Sequence, residues 1–360
     1  MNQKSKRKNS KIVEYFHSDK FKPTKWGKYF ASFSLGIFVV GLIMFFALGF
    51  NLGLDFTGGN IMDIEAGSQI EDASTYNEVK SVVDTVLKDN GVTGGIARVQ
   101  KVNSGEEAIF EFQYQNISGL TTEQMTEVNE QIRVDLQTQL ADVLTGDVDS
   151  MVTASETKSA SASGDLILNA FFALTLAIIA ILIYVGIRFE LVSGLSAIIA
   201  LFHDVLLMGA LVVICRIEIN SAFIAAIITV LGYSINNTIV LFDRIRENLK
   251  KETLAGKTNK EIADLSIKQT LNRTLNTSLT TIIAVLLLAV IGVSAIQEFL
   301  IPIIFGIVVG TYAAIFISAP LWAIMISHSK FDRHKLNAGK ELKKEDQAKV
   351  VETTAESVID

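Results

Sequence analysis

Six long, uninterrupted apolar stretches constrain this chain more than any other feature of its sequence. At 1.5 Å of helical rise per residue, about twenty apolar residues match the roughly 30 Å hydrocarbon core of a membrane. A soluble helix shows a periodic apolar pattern instead. The chain is therefore predicted to cross a membrane six times. The predicted spans are Tyr29–Phe50, Leu166–Ile187, Leu191–Ile214, Ile219–Phe242, Leu279–Ile296 and Leu300–Ile326.

The first apolar stretch follows a basic arm, as the core of a secretory leader does. Leader cores have about 7–15 residues and end at small residues. This stretch is longer and continues into Asn51–Phe56 without such a cleavage site. It is predicted to be a retained first span, 29–54, preceded by a cytoplasmic arm, 1–28.

Basic residues near the span ends predict the orientation, because lysine and arginine accumulate on the cytoplasmic side. Residues 1–28 hold nine Lys/Arg, the connection 243–276 holds eight, and the tail 327–360 holds seven. Residues 58–164 hold six Lys/Arg against eighteen Asp/Glu. If both termini are cytoplasmic and the region between the first two spans lies outside, each of these four segments is on the side of the membrane that its charge predicts.

Residues 55–156 are predicted to form an extracytoplasmic domain, because they contain no long apolar stretch and are numerous enough to fold independently. Their pattern indicates the order strand, helix, strand, strand, helix, strand, with a hairpin that includes the alternating run Ala108–Tyr114. That order predicts a ferredoxin-like α+β fold. The serine-rich segment 157–165 is predicted to be a flexible linker.

Residues 166–326 are predicted to hold the second to sixth spans. Within them, the polar connection 243–276 has apolar positions at Ile262, Leu265 and Ile267. This pattern predicts a helix that lies along the cytoplasmic membrane surface.

A glycine-rich motif follows the first span and consists of Asp55, Phe56, Thr57, Gly58 and Gly59. Two adjacent glycines permit a sharp turn with positive φ, so the motif is predicted to be a hinge. The pattern alone favours a purely structural turn, with Asp55 solvated or hydrogen-bonded to amides of the turn. A functional hinge is the alternative.

Polar residues inside the fourth span form another candidate site. Ser234, Asn237 and Thr238 are three or four positions apart and can share one helix face. Polar groups are costly in hydrocarbon, so this face is predicted to point into the helix bundle. Two interpretations are equally supported: an interhelical hydrogen-bond seam, or a path for a transported species.

Charged residues occur at two further places in the spans. His203 and Asp204 lie inside the third span and, being adjacent, point about 100° apart, which excludes a two-ligand metal pair. They are predicted to form hydrogen bonds or handle protons, or else to make a packing contact to a neighbouring span. Arg273 stands before a polar run at the start of the fifth span, where it snorkels to headgroups or lines a wet path.

The sequence offers no recognisable enzyme chemistry. The single cysteine, Cys215, cannot form a disulfide within the chain, and there is no phosphate loop, activated nucleophile or His/Cys ligand spacing. We therefore expect no enzymatic activity, no cofactor, no resident metal and no nucleic-acid partner. Membrane lipid is the expected surrounding.

Five motifs together resemble the SecF branch of the SecD/SecF family, within the resistance-nodulation-division (RND) superfamily. The match covers nearly the whole chain, and the combination of motifs is highly specific. The matching segments are Gly53–Gly59, Arg188-Phe189-Glu190, His203-Asp204-Val205, Gly232–Asn248 and Gln269–Ser278.

The resemblance implies a six-span half that pairs with a SecD-like subunit and works beside a SecYEG-type channel. It implies export of unfolded polypeptides across the bacterial cytoplasmic membrane, with an outer domain that grips or releases the emerging chain. In the family, cation flow through the bundle drives these movements, and a fourth-span aspartate and a fifth-span arginine take part. Arg273 matches that arginine.

The fourth-span motif departs from the family pattern at Asn237, where the family usually has aspartate. An amide does not titrate near physiological pH and cannot relay a proton as a carboxylate does. The alternatives are Asp204, Asp243, a carboxylate of the partner, a different cation, or uncoupled function. Two rival functions also stand: a non-transporting scaffold for SecD and the channel, and half of an RND-type exporter of small molecules or lipids.

Overall fold

The structure is a computed structural model and describes residues 21–65, 73–92, 96–104, 107–115, 120–140, 152–158, 160–254, 256–291 and 294–329. Most of the predicted arm 1–28 and of the predicted tail 327–360 therefore lies outside the described residues.

The helices and strands are, in chain order, α1 (Pro23–Leu48), α2 (Leu54–Thr57), β1 (Gly59–Glu65), α3 (Ala73–Asp89), β2 (Ile96–Ser104), β3 (Glu107–Gln115), α4 (Thr122–Leu140), β4 (Val152–Lys158), α5 (Ala160–Arg188), α6 (Leu191–Ile214), α7 (Ser221–Lys250), α8 (Asn259–Ile291), α9 (Ser294–Ala313) and α10 (Ala319–His328). A 3₁₀ turn, Glu252–Leu254, lies between α7 and α8, and a π-helical turn, Ala314–Ser318, joins α9 to α10.

Six helical segments in the described part of the chain are long and apolar enough to cross a membrane: α1, α5, α6, α7, α8, and α9 with α10 as one unit. Apart from α7, these segments expose large apolar side chains, such as Phe171 and Phe172 of α5. Water would strongly disfavour so much exposed apolar surface, whereas lipid does not. The prediction of a multi-pass helical membrane protein is confirmed.

The first span differs from its predicted bounds, 29–54, at both ends. Pro23 is the first residue of α1, where its fixed φ suits a helix start and its missing N–H is not needed. The helix ends at Leu48. Residues 51–53 leave the helix because their backbone pairs with another segment, which no local pattern reveals.

The predicted flexible linker 157–165 is wrong. β4 runs to Lys158, which lies opposite Gly59 of β1, and α5 begins at Ala160. Small serine and alanine side chains give no strong local signal, but they are compatible with a helix once a strand and a span fix both ends. The outer domain is therefore followed almost directly by the second span.

The predicted connection 243–276 is mostly helical, which also corrects the surface helix expected there. α7 and α8 extend into it from both sides and leave only residues 251–258 between them. Ile245 of α7 and both Ile262 and Ile267 of α8 are buried. Apolar residues spaced among charges thus hold the two extensions within the helix bundle rather than on a membrane surface.

Polar contacts fix this helical hairpin. The N–H of Thr258 donates to Glu261 at 2.8 Å and the N–H of Glu261 donates to Thr258 Oγ1 at 3.3 Å, a capping box that starts α8. Nδ2 of Asn248 donates to Ser266 at 2.9 Å and to Gln269 at 2.7 Å. These bonds tie the end of α7 to the start of α8.

α7 lies at the centre of the bundle and contacts α5, α6, α8 and α9. A methyl group at Gly306 of α9 would lie 2.2 Å from Cγ2 of Val230 on α7. One at Gly41 of α1 would lie 2.7 Å from Cβ of Ala210 on α6. Helices in lipid associate through such close approaches of small residues.

The residues between the first two spans form a separate α/β unit. Four antiparallel strands make one sheet in the order β2-β3-β1-β4, and α3 packs against α4. The elements follow the order of strands and helices that the sequence predicts. The two helices bury Val83 and Leu87 of α3 and Ile132 and Leu136 of α4.

A buried polar group anchors this unit beside the hinge motif. Nδ2 of Asn60 donates to Oδ1 of Asn129 at 2.7 Å, and the hydroxyl of Tyr114 donates to the same oxygen. Burial raises the pKa of Tyr114, so its hydroxyl remains a donor. Because Asn60 directly follows Gly59, the hinge motif leads straight into the core of the domain.

Candidate functional site

Asp204 of α6 lies in the interior of the bundle with 1% of its surface exposed. Its helix face also carries Ala200, Leu201 and Leu207, all buried, because residues three and four apart lie on one side of a helix. The hydroxyl of Ser234 on α7 donates a hydrogen bond to Oδ2 of Asp204. The third and fourth predicted spans therefore meet at this carboxyl group.

His203 contacts the other carboxyl oxygen. Its Nδ1 lies 3.0 Å from Oδ1 of Asp204, whereas its Nε2 is buried without a hydrogen-bond partner among the described residues. The ring meets Tyr312 of α9 edge-on, with centroids 6.0 Å apart. The Tyr312 hydroxyl is 2.8 Å from Oγ of Ser34 on α1. His203 thus connects the carboxyl group to two further helices.

Gly310 of α9 closes the third side of this group. A methyl group there would lie 3.1 Å from Cβ of Ser234 and 3.5 Å from Oδ2 of Asp204. Three helices meet around the carboxyl group, and the absence of a side chain at Gly310 leaves room for it.

We call His203, Asp204 and Ser234 the Asp204 cluster. No lysine or arginine of the described residues lies within 4 Å of its carboxyl group, and the one basic neighbour is the imidazole of His203. An ionised group inside a membrane is costly unless its charge is balanced. The cluster can achieve that balance with a proton, a bound cation or a protonated imidazole, which are the properties of an ion-handling site.

Asn237 and Thr238 lie about one turn further along α7 and are also buried. Nδ2 of Asn237 has no hydrogen-bond partner within the described part of the chain. A buried donor without a partner costs roughly 1–3 kcal/mol. The seam interpretation therefore fits Ser234, which bonds to α6, but it does not account for the amide of Asn237.

A second polar connection, which sequence reasoning missed, crosses the bundle nearby. The hydroxyl of Tyr233 on α7 donates to Oγ of Ser278 on α8 at 2.9 Å, and Thr311 of α9 donates to the same oxygen at 2.7 Å. The sequence signal that could have revealed this connection was the presence of polar residues at helical spacing in α7, α8 and α9. The connection places residue 233 of α7 beside residue 278 of α8.

Arg273 of α8 is exposed, and its side chain makes no hydrogen bond or ion pair with any residue that the structure describes. The side chain of Arg273 thus lies on the surface of the bundle, whereas Asn237 is 3% exposed, and no hydrogen bond joins these two side chains among the described residues. The polar run that follows Arg273 therefore needs another explanation.

The neighbouring helices α7 and α8 each expose several polar or small residues. This polar face consists of Thr229, Gly232 and Asn236 on α7 and Arg273, Asn276, Thr277 and Thr280 on α8. The outer side of α5, by contrast, carries large apolar residues. Polar groups that face lipid are costly, whereas helices of another protein can satisfy them. The polar face has the composition of a helix–helix interface.

Asp243, another candidate for ion coupling, forms an ion pair at one end of the bundle. Nη2 of Arg188, the last residue of α5, donates to Oδ2 of Asp243 on α7 at 2.5 Å. Two motifs that the sequence singled out separately are thus in contact. Asp243 is committed to an ion pair that holds α5 against α7.

The hinge motif, residues 55–59, consists of the last three residues of the single turn α2, then Gly58, then the first residue of β1. Gly58 has φ of 69° and Gly59 has φ of 149°, values that residues with a side chain rarely adopt. Phe56 and Thr57 lie within the turn, where Oγ1 of Thr57 donates to the carbonyl of Gly53 at 3.2 Å. The two glycines redirect the chain from α2 into the sheet.

Asp55 connects the hinge motif to α7. Its Oδ2 accepts a hydrogen bond from the N–H of Ser221 at 3.0 Å and another from the Ser221 hydroxyl. Ser221 is the first residue of α7, and the free N–H groups at a helix N-terminus favour a carboxylate. The sequence pattern suggested solvent or the amides of its own turn as partners. The structure instead bonds Asp55 to the helix that carries Ser234.

Backbone pairing holds the approach to the hinge motif in place. The N–H of Gly53 donates to the carbonyl of Ile219 at 2.9 Å, and the N–H of Ile219 donates to the carbonyl of Asn51 at 2.8 Å. A methyl group on Gly53 would lie 2.3 Å from Oε1 of Glu218. The loop that precedes α7 is therefore locked against the end of the first span.

Sequence reasoning missed this loop, although Arg216 was an available signal. This end of the bundle is predicted to face away from the cytoplasm, where lysine and arginine are rare, so a basic residue is unexpected there. Its Nη1 donates to the carbonyl of Gly49 at 2.7 Å. Arg216 thus satisfies a backbone group at the end of α1.

Comparison with known proteins places both regions in one family. The family model described as "Protein export membrane protein SecD/SecF, C-terminal" matches residues 139–328, and the model described as "SecD/SecF GG Motif" matches residues 43–70. The protein translocase subunit SecF of Helicobacter pylori is 34% identical over 310 residues, which are 86% of this chain and 87% of that relative. The chain belongs to the SecF family.

Other SecF and SecDF proteins match over the same region. SecF of Sebaldella termitidis is 33% identical over 86% of this chain and 93% of its own length. SecDF of Bacillus subtilis is 32% identical over 82% of this chain and 37% of its own length. The crystal structure of SecDF from Thermus thermophilus, described as a translocon-associated membrane protein, matches with 31% identity and a TM-score of 0.65. It is covered over 38% of its length, so this chain spans less than half of each SecDF.

SecF membership relates the family motifs to the geometry. The GG-motif match contains the hinge motif, and the C-terminal match contains the Asp204 cluster and the polar face. SecF proteins are accessory subunits of Sec protein export, and this is the functional class of the chain.

Proposed function

We propose that this SecF-family protein pairs with a SecD-like subunit through the polar face of α7 and α8. The polar face carries this proposal, because its Asn236 and Arg273 are exposed where large apolar side chains would suit lipid. The SecDF relatives support it, since their SecF-like region is 37% or 38% of a longer chain. A partner helix with acceptor groups would satisfy Arg273.

The proposed setting is the bacterial cytoplasmic membrane, with both termini cytoplasmic and the α/β unit outside. The distribution of Lys/Arg supports this orientation, because residues 58–164 hold eighteen Asp/Glu and only six Lys/Arg. The strand order β2-β3-β1-β4 with all neighbours antiparallel supports a ferredoxin-like domain. Its proposed partner is an unfolded polypeptide that emerges from a neighbouring SecYEG-type channel.

The hinge motif is proposed to transmit movement between the bundle and this domain. Asp55 is bonded to the first residue of α7, and Ser234 of the same helix is bonded to Asp204. A shift of α7 that accompanies ion binding at the Asp204 cluster would therefore move the attachment of the domain. Gly58 and Gly59 provide the conformational freedom for that movement.

Coupling to a cation gradient is proposed to use Asp204. Asn237 cannot take up or release a proton near physiological pH, and Asp243 is paired with Arg188. Asp204 is buried, is bonded to α7 and has no lysine or arginine counter-ion among the described residues. It meets the requirements for a site that alternates between loaded and empty states. The proposal includes no catalytic step, cofactor or resident metal.

Affinity purification in mild detergent tests the partner. We expect a SecD-like chain and the translocation channel to co-purify with the tagged protein, as identified by mass spectrometry. Recovery of neither, with a stable homo-oligomer instead, would contradict the proposal and favour half of an independent RND-type exporter.

A non-transporting scaffold is the second candidate function, and the non-titrating amide of Asn237 favours it. Asn237→Asp separates the two functions, because it restores the carboxylate that the family usually has at this position. If the bundle conducts a cation, Asn237→Asp should change how strongly secretion depends on the sodium or proton gradient. An unchanged dependence in this variant and in Asp204→Asn would leave only the scaffold.

A further inference from the structure

A groove of about 1000 Å³ opens on the side of the bundle between α1, α6, α8 and the last span. Its mouth is formed by Lys22 and Lys25 beside the start of α1 and by Lys260 at the start of α8. Its wall includes Ile199, Leu321 and Ile324. We infer that this side groove is a binding site for an anionic phospholipid, with the phosphate at the lysines and an acyl chain along the wall.

The floor of the side groove is closed by the approach of two helices. A methyl group on Gly27 of α1 would lie 2.8 Å from the carbonyl oxygen of Phe316 and 3.0 Å from Cβ of Pro320. This contact leaves no room for a chain to pass between the helices. An occupant therefore lies along the groove, open to the membrane on one side.

The depth of the side groove suits an acyl chain. His203, at its inner end, is twelve residues from Leu191, where α6 begins. Twelve residues of helix span about 18 Å, which is more than half of the roughly 30 Å hydrocarbon core. The groove runs from the basic end of the bundle to its middle, and its wall is apolar along that path.

The charges at the mouth are arranged to receive an anion. Asp264 already accepts hydrogen bonds from the N–H and Oγ1 of Thr24, at 2.8 and 3.0 Å. Glu261 is held by the capping box that starts α8. The side-chain ammonium groups of Lys25 and Lys260, in contrast, make no hydrogen bond or ion pair with any described residue. Basic pockets between spanning helices on one side of a membrane are suited to anionic headgroups.

The chain carries a built-in reporter for this site. It has two tryptophans, of which Trp26 lines the groove and is 50% exposed, whereas Trp322 is buried and 2% exposed. In the Trp322→Phe variant, fluorescence comes from Trp26 alone. A brominated acyl chain in the groove quenches it at short range.

The test reconstitutes the full chain into bilayers that contain either brominated phosphatidylglycerol or brominated phosphatidylcholine. We expect phosphatidylglycerol to reach half-maximal quenching at a mole fraction lower by about five-fold, the preference that one basic side chain confers near an anionic lipid. Lys25→Gln with Lys260→Gln should remove the preference. The matched pair Lys250→Gln with Lys251→Gln removes the same charge outside the groove and should retain it.

Equal quenching by both lipids in the starting protein would overturn the proposed site. Trp26 would then contact only the surrounding lipid, or the groove would be filled by residues 1–20 or by a partner subunit. Equal loss of preference in both lysine pairs would also overturn it, because the effect would then be general surface charge. If Trp322→Phe does not purify as a single species, subtracting the signal of Trp26→Phe from the unaltered protein isolates the same reporter.

Discussion

The Asp204 cluster and the polar face contain similar kinds of residues in neighbouring helices, but the chain supplies hydrogen-bond partners to the charged group of the cluster and none to that of the polar face. Both oxygens of Asp204 are engaged, by His203 and Ser234, and Gly310 is fitted against them. The side chain of Arg273, in the polar face, makes no hydrogen bond or ion pair with the described residues.

This difference indicates which part of the mechanism belongs to the chain and which part needs another protein. A polar group with its partners supplied inside one chain can act within that chain. A polar surface left open among apolar surroundings is stable only when a second set of helices covers it. Changes in the cluster should therefore act in the isolated protein, and changes in the polar face only in the assembly.

Asp204→Asn has the largest expected effect and tests the interior half of this comparison. The amide retains the size of the side chain but cannot take up a proton or balance a cation. Cation-dependent secretion should fall to the level of cells that lack the protein, measured by pulse-chase labelling of an exported substrate. Asp165→Asn, on the exposed start of α5, is the matched control and should secrete normally. Normal secretion in Asp204→Asn would show that the cluster is only structural.

Gly306→Ala tests whether close helix packing positions the cluster. The new methyl group would lie 2.2 Å from Val230, and overpacking of this kind typically costs about 1–3 kcal/mol. The thermal unfolding temperature of the purified chain in detergent should fall. Val230→Ala in the same chain should recover part of the loss. Gly186→Ala is the control, because nothing lies within 4 Å of that position; equal effects at both glycines would contradict the packing described.

Asp55→Ala tests the attachment of the hinge motif to α7. Loss of a side chain that caps a helix typically costs about 1 kcal/mol. Backbone amides at the start of α7 should exchange hydrogen faster, as measured by mass spectrometry, and export should slow while the level of protein in the membrane is retained. Ser221→Ala removes only the hydroxyl contact and should give a smaller change. Exchange as slow as in the unaltered protein would show that Asp55 does not support α7.

Arg273→Ala should have the smallest effect on the isolated chain and tests the outward half of the comparison. An exposed side chain without partners usually changes stability by less than about 0.5 kcal/mol. Its removal should nevertheless reduce recovery of the SecD-like subunit and slow secretion. A large loss of stability in the isolated chain, with the subunit still recovered in full, would reverse the assignment of the two regions.

Local patterns in the sequence were sufficient to predict the spans and the order of the outer domain. Continuous apolar stretches are visible without any knowledge of contacts, and so are the alternation of Ala108–Tyr114 and the paired glycines of the hinge motif. The same reasoning predicted a flexible linker at 157–165, where a strand ends and a helix begins, and it placed the helix within 243–276 on the membrane surface instead of in the bundle. Burial of Ile245, Ile262 and Ile267 against neighbouring helices decided that outcome.

The candidate site shows the same division. The residue types and their helical spacing identified His203, Asp204 and Ser234 as polar positions within the spans. The spacing could not show that Asp204 and Ser234 share a hydrogen bond, that Asp55 binds the start of α7, or that Arg273 faces outward.

The sequence by itself determined that this chain crosses a membrane, how often it does so, and which family its motifs match. These properties depend on residues that are close together along the chain, so composition and spacing are enough. The tertiary structure decided which polar groups are satisfied and which remain open. That depends on contacts between residues far apart along the chain, such as Ser34 and Tyr312, which are 278 positions apart, and only the packing of helices brings such residues together.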